Sequence, residues 1–258
     1  GEIAIAKRIE AGKNVMLEAL SQSPITANQI IDWSEKLNKD EILVREIIDI
    51  DTNYMEEDDS ESSEKKENNK DNNTENANNN DDDEFNPTLA AMEEEIKPKI
   101  LKTISSLSKD YSKLSKYQIE KLNCILNVKE FSKSKEKNYS KICETILTNI
   151  KSLQLSPSVL EDLVQKHYEQ NRKIISLEGS LLRLAIENKI NRDEFIKFYV
   201  GNEINPNLKN FLSTNQVWKS FFQKNKEEFK NIRERLIEIS NKLGLSVTEF
   251  KKMLSRIQ

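Results

Sequence analysis

The sequence predicts an all-α fold: a bundle of long antiparallel helices with one long acidic disordered loop. Three observations predict it. Glycine occurs only five times in 258 residues, which is too few for the tight hairpins and phosphate-binding loops that need its backbone freedom. Apolar residues recur every three or four positions, as on a helix with one buried face. Four of the five prolines follow Ser or Asn, a pair that starts helices because the first residue caps free amides and proline needs no donor there.

These signals place the elements in order along the chain. Helices are predicted to start at Ser23-Pro24, Asn86-Pro87, Ser156-Pro157 and Asn205-Pro206, and capping boxes are predicted at Asn191 and Ser246. Three apolar stripes fill the intervals, from Leu89 to Leu114, from Leu160 to Ala185 and from Val217 to Leu243. Pro98 is expected to bend the first of these helices slightly or to mark its first turns. Gly244 is expected to be a left-handed C-cap.

One acidic tract differs from the rest of the chain. Residues 51–84 hold 14 acidic and 3 basic residues, and only Tyr54 and Met55 are large and apolar. Such a segment cannot bury enough surface to offset the entropy of ordering it, so it is predicted to be disordered. Without it the chain keeps 40 − 3 = 37 basic and 44 − 14 = 30 acidic residues, or net +7. The predicted organisation is therefore a first helical segment (1–50), an acidic linker (51–86) and a helical domain (87–258).

The sequence offers little for catalysis. His167 is the single histidine, so it is interpreted as structural rather than as a metal ligand or a base. Cys124 and Cys143 lack the spacing of a zinc site and are expected to be reduced thiols of a cytoplasmic protein. No apolar run is long enough to cross a membrane. We therefore expect no enzyme activity, no catalytic residue, no metal, no cofactor and no small-molecule ligand.

Two surface features are compatible with binding. Between Lys97 and Lys151 there are 13 lysines and 5 acidic residues, and between Asn207 and Gln258 there are 11 basic and 5 acidic residues. Such helix faces either provide solubility or attract nucleic acid or an acidic partner. The aromatic residues are interpreted as core rather than as a base-stacking platform; they are Trp218, Phe221 and Phe222, with Phe211 nearby. The acidic tract is either a solvated linker or a mimic of nucleic acid that occupies a basic groove.

Several motifs resemble bacterial primary (housekeeping) sigma factors of the sigma-70 family, in the same order. They are GEIAIAKRIEAG (1–12), LVREIIDID (43–51), PTLAAME (87–93), EGSLLRLA (178–185), NRDEFIKFYVGNE (191–203), Trp218-Lys219, and a closing stretch with Thr248-Glu249-Phe250, Met253 and Arg256-Ile257-Gln258. The first motif resembles the end of subregion 1.2 and the last approaches subregion 2.1. The chain between them resembles the variable helical insertion that separates these subregions.

The resemblance implies a function in transcription initiation. The partner would be core RNA polymerase, contacted at the β′ clamp, with an effect on promoter opening or escape. Promoter DNA would be bound by the full-length protein, mostly through segments absent here, so the chain is expected to be a piece of a longer polypeptide. Lys7 and Arg8 are the candidate polymerase or DNA contacts, and a surface ion pair with Glu2 or Glu10 is the alternative role for them.

The resemblance also implies how the helices pack. The 1–11 helix is expected to lie against the final helices, because both would belong to one sigma core. A single helix over residues 216–243 is expected to be the spine on which the 157–187 helices lie, with the acidic loop projecting outward. Two other functions stay open on the residues alone: an autonomous helical protein-binding scaffold, and a non-specific nucleic-acid binder that uses basic helix faces.

Overall fold

The structure is a computed structural model that describes residues 1–53, 87–205 and 216–257. Within these ranges the chain forms helices and their connections, and the only bridge of β type is an isolated antiparallel pair between Ile48 and Leu155. The all-α prediction is confirmed. None of the described helices is long and apolar enough to cross a membrane.

The helices of the described ranges are numbered in chain order. They are α1 (Glu2–Ser21), α2 (Pro24–Asn38), a 3₁₀ helix (Val44–Glu46), α3 (Pro87–Leu126), α4 (Lys133–Leu153), α5 (Pro157–Glu187), α6 (Arg192–Tyr199), α7 (Gln216–Lys224), α8 (Lys226–Leu243) and α9 (Val247–Leu254). The predicted starts at Pro24, Pro87 and Pro157 are confirmed, whereas Pro206 lies outside the described residues.

Side-chain caps hold three of these starts. The Ser23 hydroxyl accepts from the Ile25 amide at 3.3 Å, the Asn191 side chain accepts from the Asp193 amide at 2.9 Å, and the Ser246 hydroxyl accepts from the Glu249 amide at 3.3 Å. Each bond satisfies an amide that has no partner inside its helix. The N-caps at these positions are thus confirmed, whereas the return bond from the Glu194 or Glu249 side chain that would complete a predicted capping box is not seen in the described residues.

Two backbone positions show how the sequence shapes helix ends. Gly244 ends α8 in the left-handed conformation, with φ of 66°, as predicted from its place before the Ser246 cap. Pro98 lies inside α3, which is continuous from Pro87 to Leu126. The proline therefore does not mark the start of the helix, although it removes one amide donor from the helix interior.

The buried side chains form two hydrophobic clusters. The first contains residues of α1 to α4, the segment around Ile47 and Ile48, and the start of α5. The second contains residues of α5 to α9, together with Ala19 of α1 and Leu122 of α3. Three helices, α1, α3 and α5, contribute to both clusters. The long helices therefore connect the two halves of the core.

One predicted helix is divided in two. The stretch 216–243 breaks at Asn225, where α7 ends and α8 begins. The Asn225 side chain donates to the Phe221 carbonyl at 3.2 Å, and such local bonding competes with regular helix geometry. Phe222 and Phe229 meet edge to face across the break, with ring centroids 5.7 Å apart. Helix α8 still packs along α5, as expected for the spine.

The expected packing of residues 1–11 against the final helices is wrong. Every residue from Gly1 to Lys13 is exposed. Contact with α9 comes instead from the second half of α1, where Ala19 shares a cluster with Val247 and Phe250. The buried residues of α1, Leu17, Ala19 and Leu20, all lie in the final turns of the helix.

The start of the acidic tract is ordered, which corrects its predicted boundary. Residues 50–53 form a helical turn, and Asn53 is buried. The Asn53 amide donates to the carbonyls of Asp49 and Leu153, both at 2.9 Å, so it ties this turn to the end of α4. The rest of the predicted linker, residues 54–86, lies outside the described residues.

Candidate partner-binding surface

The first half of α1 projects from the bundle with apolar residues uncovered. The side chains of Ile3, Ile5 and Ile9 are 74%, 61% and 67% exposed. Ile5 and Ile9 are one turn apart, and a helical period continues this face through Gly12 to the half-buried Met16. The exposed stripe of α1, defined as Ile5, Ile9 and Gly12, therefore extends the buried face of the helix beyond the end of the core.

The two predicted contact residues lie on this half of α1. Lys7 and Arg8 are both exposed, and within the described residues neither forms an ion pair with Glu2, Glu10 or another carboxylate. At about 100° per residue, Arg8 lies roughly 70° from the stripe, whereas Lys7 lies on the opposite face. Of the two, only Arg8 borders the exposed stripe. The alternative role, a surface ion pair with Glu2 or Glu10, is not seen.

The anchor of α1 is the turn that joins it to α2. The Tyr111 hydroxyl donates to the Ser21 carbonyl at 2.8 Å, and the Gln118 amide donates to the Gln22 carbonyl at 2.7 Å. Both donors come from α3, and both side chains are buried. Burial raises the pKa of Tyr111 well above its usual value, so this hydroxyl keeps its proton and its role as a donor.

His167 of α5 fixes the third residue of the turn. Its Nδ1 lies 2.6 Å from the Leu163 carbonyl, which can only accept, so Nδ1 carries the proton. Its Nε2, 2.5 Å from the Ser23 hydroxyl, then accepts from that hydroxyl. Burial lowers the pKa of His167, which favours this neutral form. The ring also stacks at 6.4 Å on Phe250. The interpretation of His167 as a structural residue is confirmed.

The turn Ser21–Ser23 therefore receives bonds from two different helices, and it sets the direction of α1. Buried hydrogen bonds of this kind are costly to break, because the freed groups would have no water to bond. The free half of α1 consequently leaves a rigid base. The sequence signalled only one of these contacts, the Ser23 cap, and gave no signal for the partners Tyr111, Gln118 and His167, which are distant in sequence.

A groove lies beside the same turn, between α2 and α5. It has a volume of about 340 Å³ and an apolar floor that includes Trp33, Ile47 and Leu163. Its lining carries both signs of charge: Lys36 and Lys166 are basic, and Glu46 and Asp162 are acidic. Lys36 is paired with Asp32 at 2.9 Å, and Lys166 donates to Gln29. The groove can hold an apolar side chain, but its charged groups do not converge on a reacting atom.

The remaining candidates for chemistry are structural. Within residues 1–53, 87–205 and 216–257, no three His, Cys, Asp or Glu side chains come together as metal ligands. Cys124 and Cys143 are free thiols, and burial raises the pKa of Cys143 to about 11. A thiol with so high a pKa is protonated at neutral pH and is a poor nucleophile.

The aromatic cluster belongs to the core, as predicted. Trp218 and Phe221 are buried, and Phe222 packs partly exposed against the same cluster. The Trp218 ring stacks on Phe195 with centroids 6.1 Å apart and an interplanar angle of 8°. The Trp218 ring is thus already stacked and the Phe221 ring is buried, so neither is free to stack on bases. Phe211 lies outside the described residues.

Comparison with known families agrees with this architecture. The family described as "Sigma-70, non-essential region" matches residues 23–240, which is most of the chain and runs from the Ser23 cap to the end of α8. Sigma-70 factors are initiation factors that associate with RNA polymerase and promoter DNA. The chain belongs to the sigma-70 family of primary RNA polymerase sigma factors and contains its non-essential region.

Proposed function

We propose that this chain is the helical insertion of a primary sigma factor, that it contacts the β′ clamp of RNA polymerase, and that the contact modulates promoter opening or escape. In this proposal the chain has no catalytic activity of its own, and it acts in the cytoplasm as a binding surface. The segments of the full-length protein outside this chain would supply most of the promoter contacts.

The observation that carries the proposal is the exposed stripe of α1. A buried isoleucine contributes about 1.5–3 kcal/mol relative to an exposed one, so leaving Ile5 and Ile9 uncovered forgoes stabilisation that a partner surface can provide. The rigid turn at Ser21–Ser23 supports the same conclusion, because a preorganised helix loses little conformational entropy on binding.

The positions of Arg8 and Lys7 predict which of the two basic side chains would contact the partner. Arg8 borders the exposed stripe, so a partner that covers the stripe comes within reach of its guanidinium. Lys7 faces away from such a partner. We therefore expect Arg8, and not Lys7, to contribute to polymerase binding, through a carboxylate on the clamp or a phosphate near it.

The test is binding of the chain to immobilised core RNA polymerase, followed by biolayer interferometry. A mass readout is needed because Trp33 and Trp218 are buried and would report poorly on surface contacts. The double variant Ile5→Glu with Ile9→Glu is expected to weaken binding at least about tenfold, since it places two charges in an apolar contact.

A matched control separates this contact from general surface change. Ile119 and Ile175 are also exposed, at 52% and 55%, so Ile119→Glu with Ile175→Glu makes the same chemical change elsewhere and should leave affinity unaltered. Arg8→Glu should weaken binding and Lys7→Glu should not. Equal losses in both double variants, or no binding by the unaltered chain, would contradict the proposal and favour the autonomous scaffold.

A further inference from the structure

The outer face of α3 carries a row of lysines. Lys102, Lys109, Lys113 and Lys116 are all exposed, and from their numbering they fall within an arc of about 60° on the side away from the core. We call these four residues the lysine row. At 1.5 Å per residue it extends for about 21 Å along a single continuous helix, so its charges are arranged in a line.

The row is hardly neutralised by the protein itself. Between Ile96 and Ile119 the helix has six lysines and one acidic residue, Asp110. Asp110 lies 3.8 Å from Lys113, whose side chain stays 66% exposed. Within the described residues, no carboxylate pairs with Lys102, Lys109 or Lys116. The positive potential of this face is thus directed to solvent.

Helix α8 does not share this excess of positive charge. Along its whole length this helix carries five basic and four acidic residues, and it forms the pairs Lys230–Glu234 at 3.7 Å and Lys242–Glu238 at 3.0 Å. Such alternation is what solubility and helix stability favour. A face with one sign of charge repels itself and is explained better by attraction to a polyanion.

We propose that the lysine row binds the phosphate backbone of duplex DNA without sequence specificity. One strand of a duplex presents a phosphate about every 3.4 Å along its axis, so about six phosphates fall within the length of the row, and its four lysines can reach those on the facing side of the duplex. Lysine suits this contact because its ammonium is a compact charge without directional requirements. The proposal adds a second binding surface to the chain and does not depend on the clamp contact.

The composition of the face favours DNA over an acidic protein. Protein interfaces are built around apolar and aromatic residues, whereas the positions between these lysines are mostly small and polar, including Ser105, Ser106 and Ser112. The nearest exposed large apolar residue on α3, Ile119, points about a quarter turn away from the row. The face therefore offers charge without an apolar centre.

The experiment measures binding of the full 258-residue chain to a fluorescein-labelled 20-base-pair duplex of arbitrary sequence by anisotropy, at several NaCl concentrations and without polymerase. Triple replacement of Lys102, Lys109 and Lys116 by Gln is expected to weaken binding about tenfold at 100 mM salt. It should also make the slope of log K against log salt shallower by about 2–3, because each phosphate contact contributes about 0.9. Circular dichroism checks that the helices are retained.

The control is triple replacement of Lys226, Lys230 and Lys242 on α8 by Gln, which removes the same charge from exposed positions and should change affinity less than about twofold. Equal losses in the two triple variants, or no duplex binding by the unaltered chain at 50 mM salt, would overturn the proposal. So would competition by poly-glutamate as effective as competition by unlabelled duplex, because it would assign the row to an acidic protein. Polymerase is absent from this assay, so its result is independent of the clamp test.

Discussion

At the scale of single residues, the turn between α1 and α2 depends on polar side chains that are almost inaccessible to water. His167 has no exposed surface, and it bonds both to its own helix and to the Ser23 hydroxyl. Because the Nε2 position must accept, protonation would turn two donors toward each other unless the Ser23 hydroxyl reorients. The turn is therefore more stable when the ring is neutral.

This arrangement predicts a pH dependence of stability. Since burial lowers the pKa of His167 in the folded state, the unfolded chain binds more protons between that lowered pKa and about 6.5. The contribution is fully present above pH 6.5 and falls as the pH drops through this window, by at most about 1.4 kcal/mol per unit.

Urea unfolding at pH 7.5 and 5.5 tests this dependence. His167→Gln should be less stable at pH 7.5 by about 1–3 kcal/mol, because buried hydrogen bonds are lost, but its loss between the two pH values should be smaller than that of the unaltered chain. Carboxylates affect both proteins alike, so an identical pH dependence in the two would show that His167 does not titrate in this way.

Two left-handed helix ends provide a second prediction. Gly244 has φ of 66°, and an added Cβ would lie 3.0 Å from Pro24 Cγ and 3.1 Å from Gln118 Oε1. Val128, which follows α3, has φ of 54° although its side chain is β-branched and 61% exposed. The Lys129 and Val128 amides bond back to Cys124 and Ile125, a helix end at which glycine is preferred.

Reciprocal substitutions should therefore have opposite effects on the free energy of unfolding. Val128→Gly removes a strained conformation and is expected to stabilise by about 1 kcal/mol. Gly244→Ala adds both strain and a close contact, and is expected to destabilise by about 1–2 kcal/mol or more. Thermal unfolding of the two variants measures both, and a destabilising Val128→Gly would mean that the valine side chain makes a contact that outweighs its strain.

At the scale of elements, a helix could be predicted from the sequence where the interactions that define it act between residues close in the chain. The starts of α2, α5 and α9 could be predicted because capping and proline geometry act within a few residues. The apolar stripes of α3 and α5 could be predicted because each buries one continuous face. The break at Asn225 could not, since an asparagine is tolerated inside many helices, and here tertiary packing of Phe222 on Phe229 accompanies the break.

The candidate surface was less predictable than the fold for a similar reason. The sequence identified the segment with Lys7 and Arg8, but it could not show that residues 1–13 are uncovered, because the spacing of Ile5 and Ile9 is the same for a buried stripe and an exposed one. Exposure depends on which neighbouring helix reaches that far. The partners of the Ser21–Ser23 turn are likewise not encoded in local spacing, because they lie far away in the sequence.

The acidic tract can be tested as an element even though residues 54–86 lie outside the described part. Replacing residues 57–83 by a short Gly-Ser linker should change the melting temperature by no more than a few degrees, because the tract contains little apolar surface to bury. The buried Asn53 is kept in this variant. A large drop in melting temperature, measured by circular dichroism, would show that the tract contributes to the folded core.

At the scale of the whole molecule, two hydrophobic clusters are joined by helices that belong to both. Helix α5 contributes Leu160 and Leu163 to the first cluster and Ile174, Leu181 and Ala185 to the second. The backbone of these helices therefore runs without a break from one cluster to the other. The family match, from Ser23 to Ser240, includes most residues of both clusters.

The Ser21–Ser23 turn is the fixed point about which the free half of α1 can tilt. With its base clamped and roughly 13 residues free, α1 is a lever about 20 Å long. A tilt of about 5° at the clamp displaces the far end by nearly 2 Å, which is the scale at which hydrogen bonds form and break. Small rearrangements at Tyr111, Gln118 or His167 would therefore produce larger displacements at the free end of α1, which is the end that carries the exposed stripe.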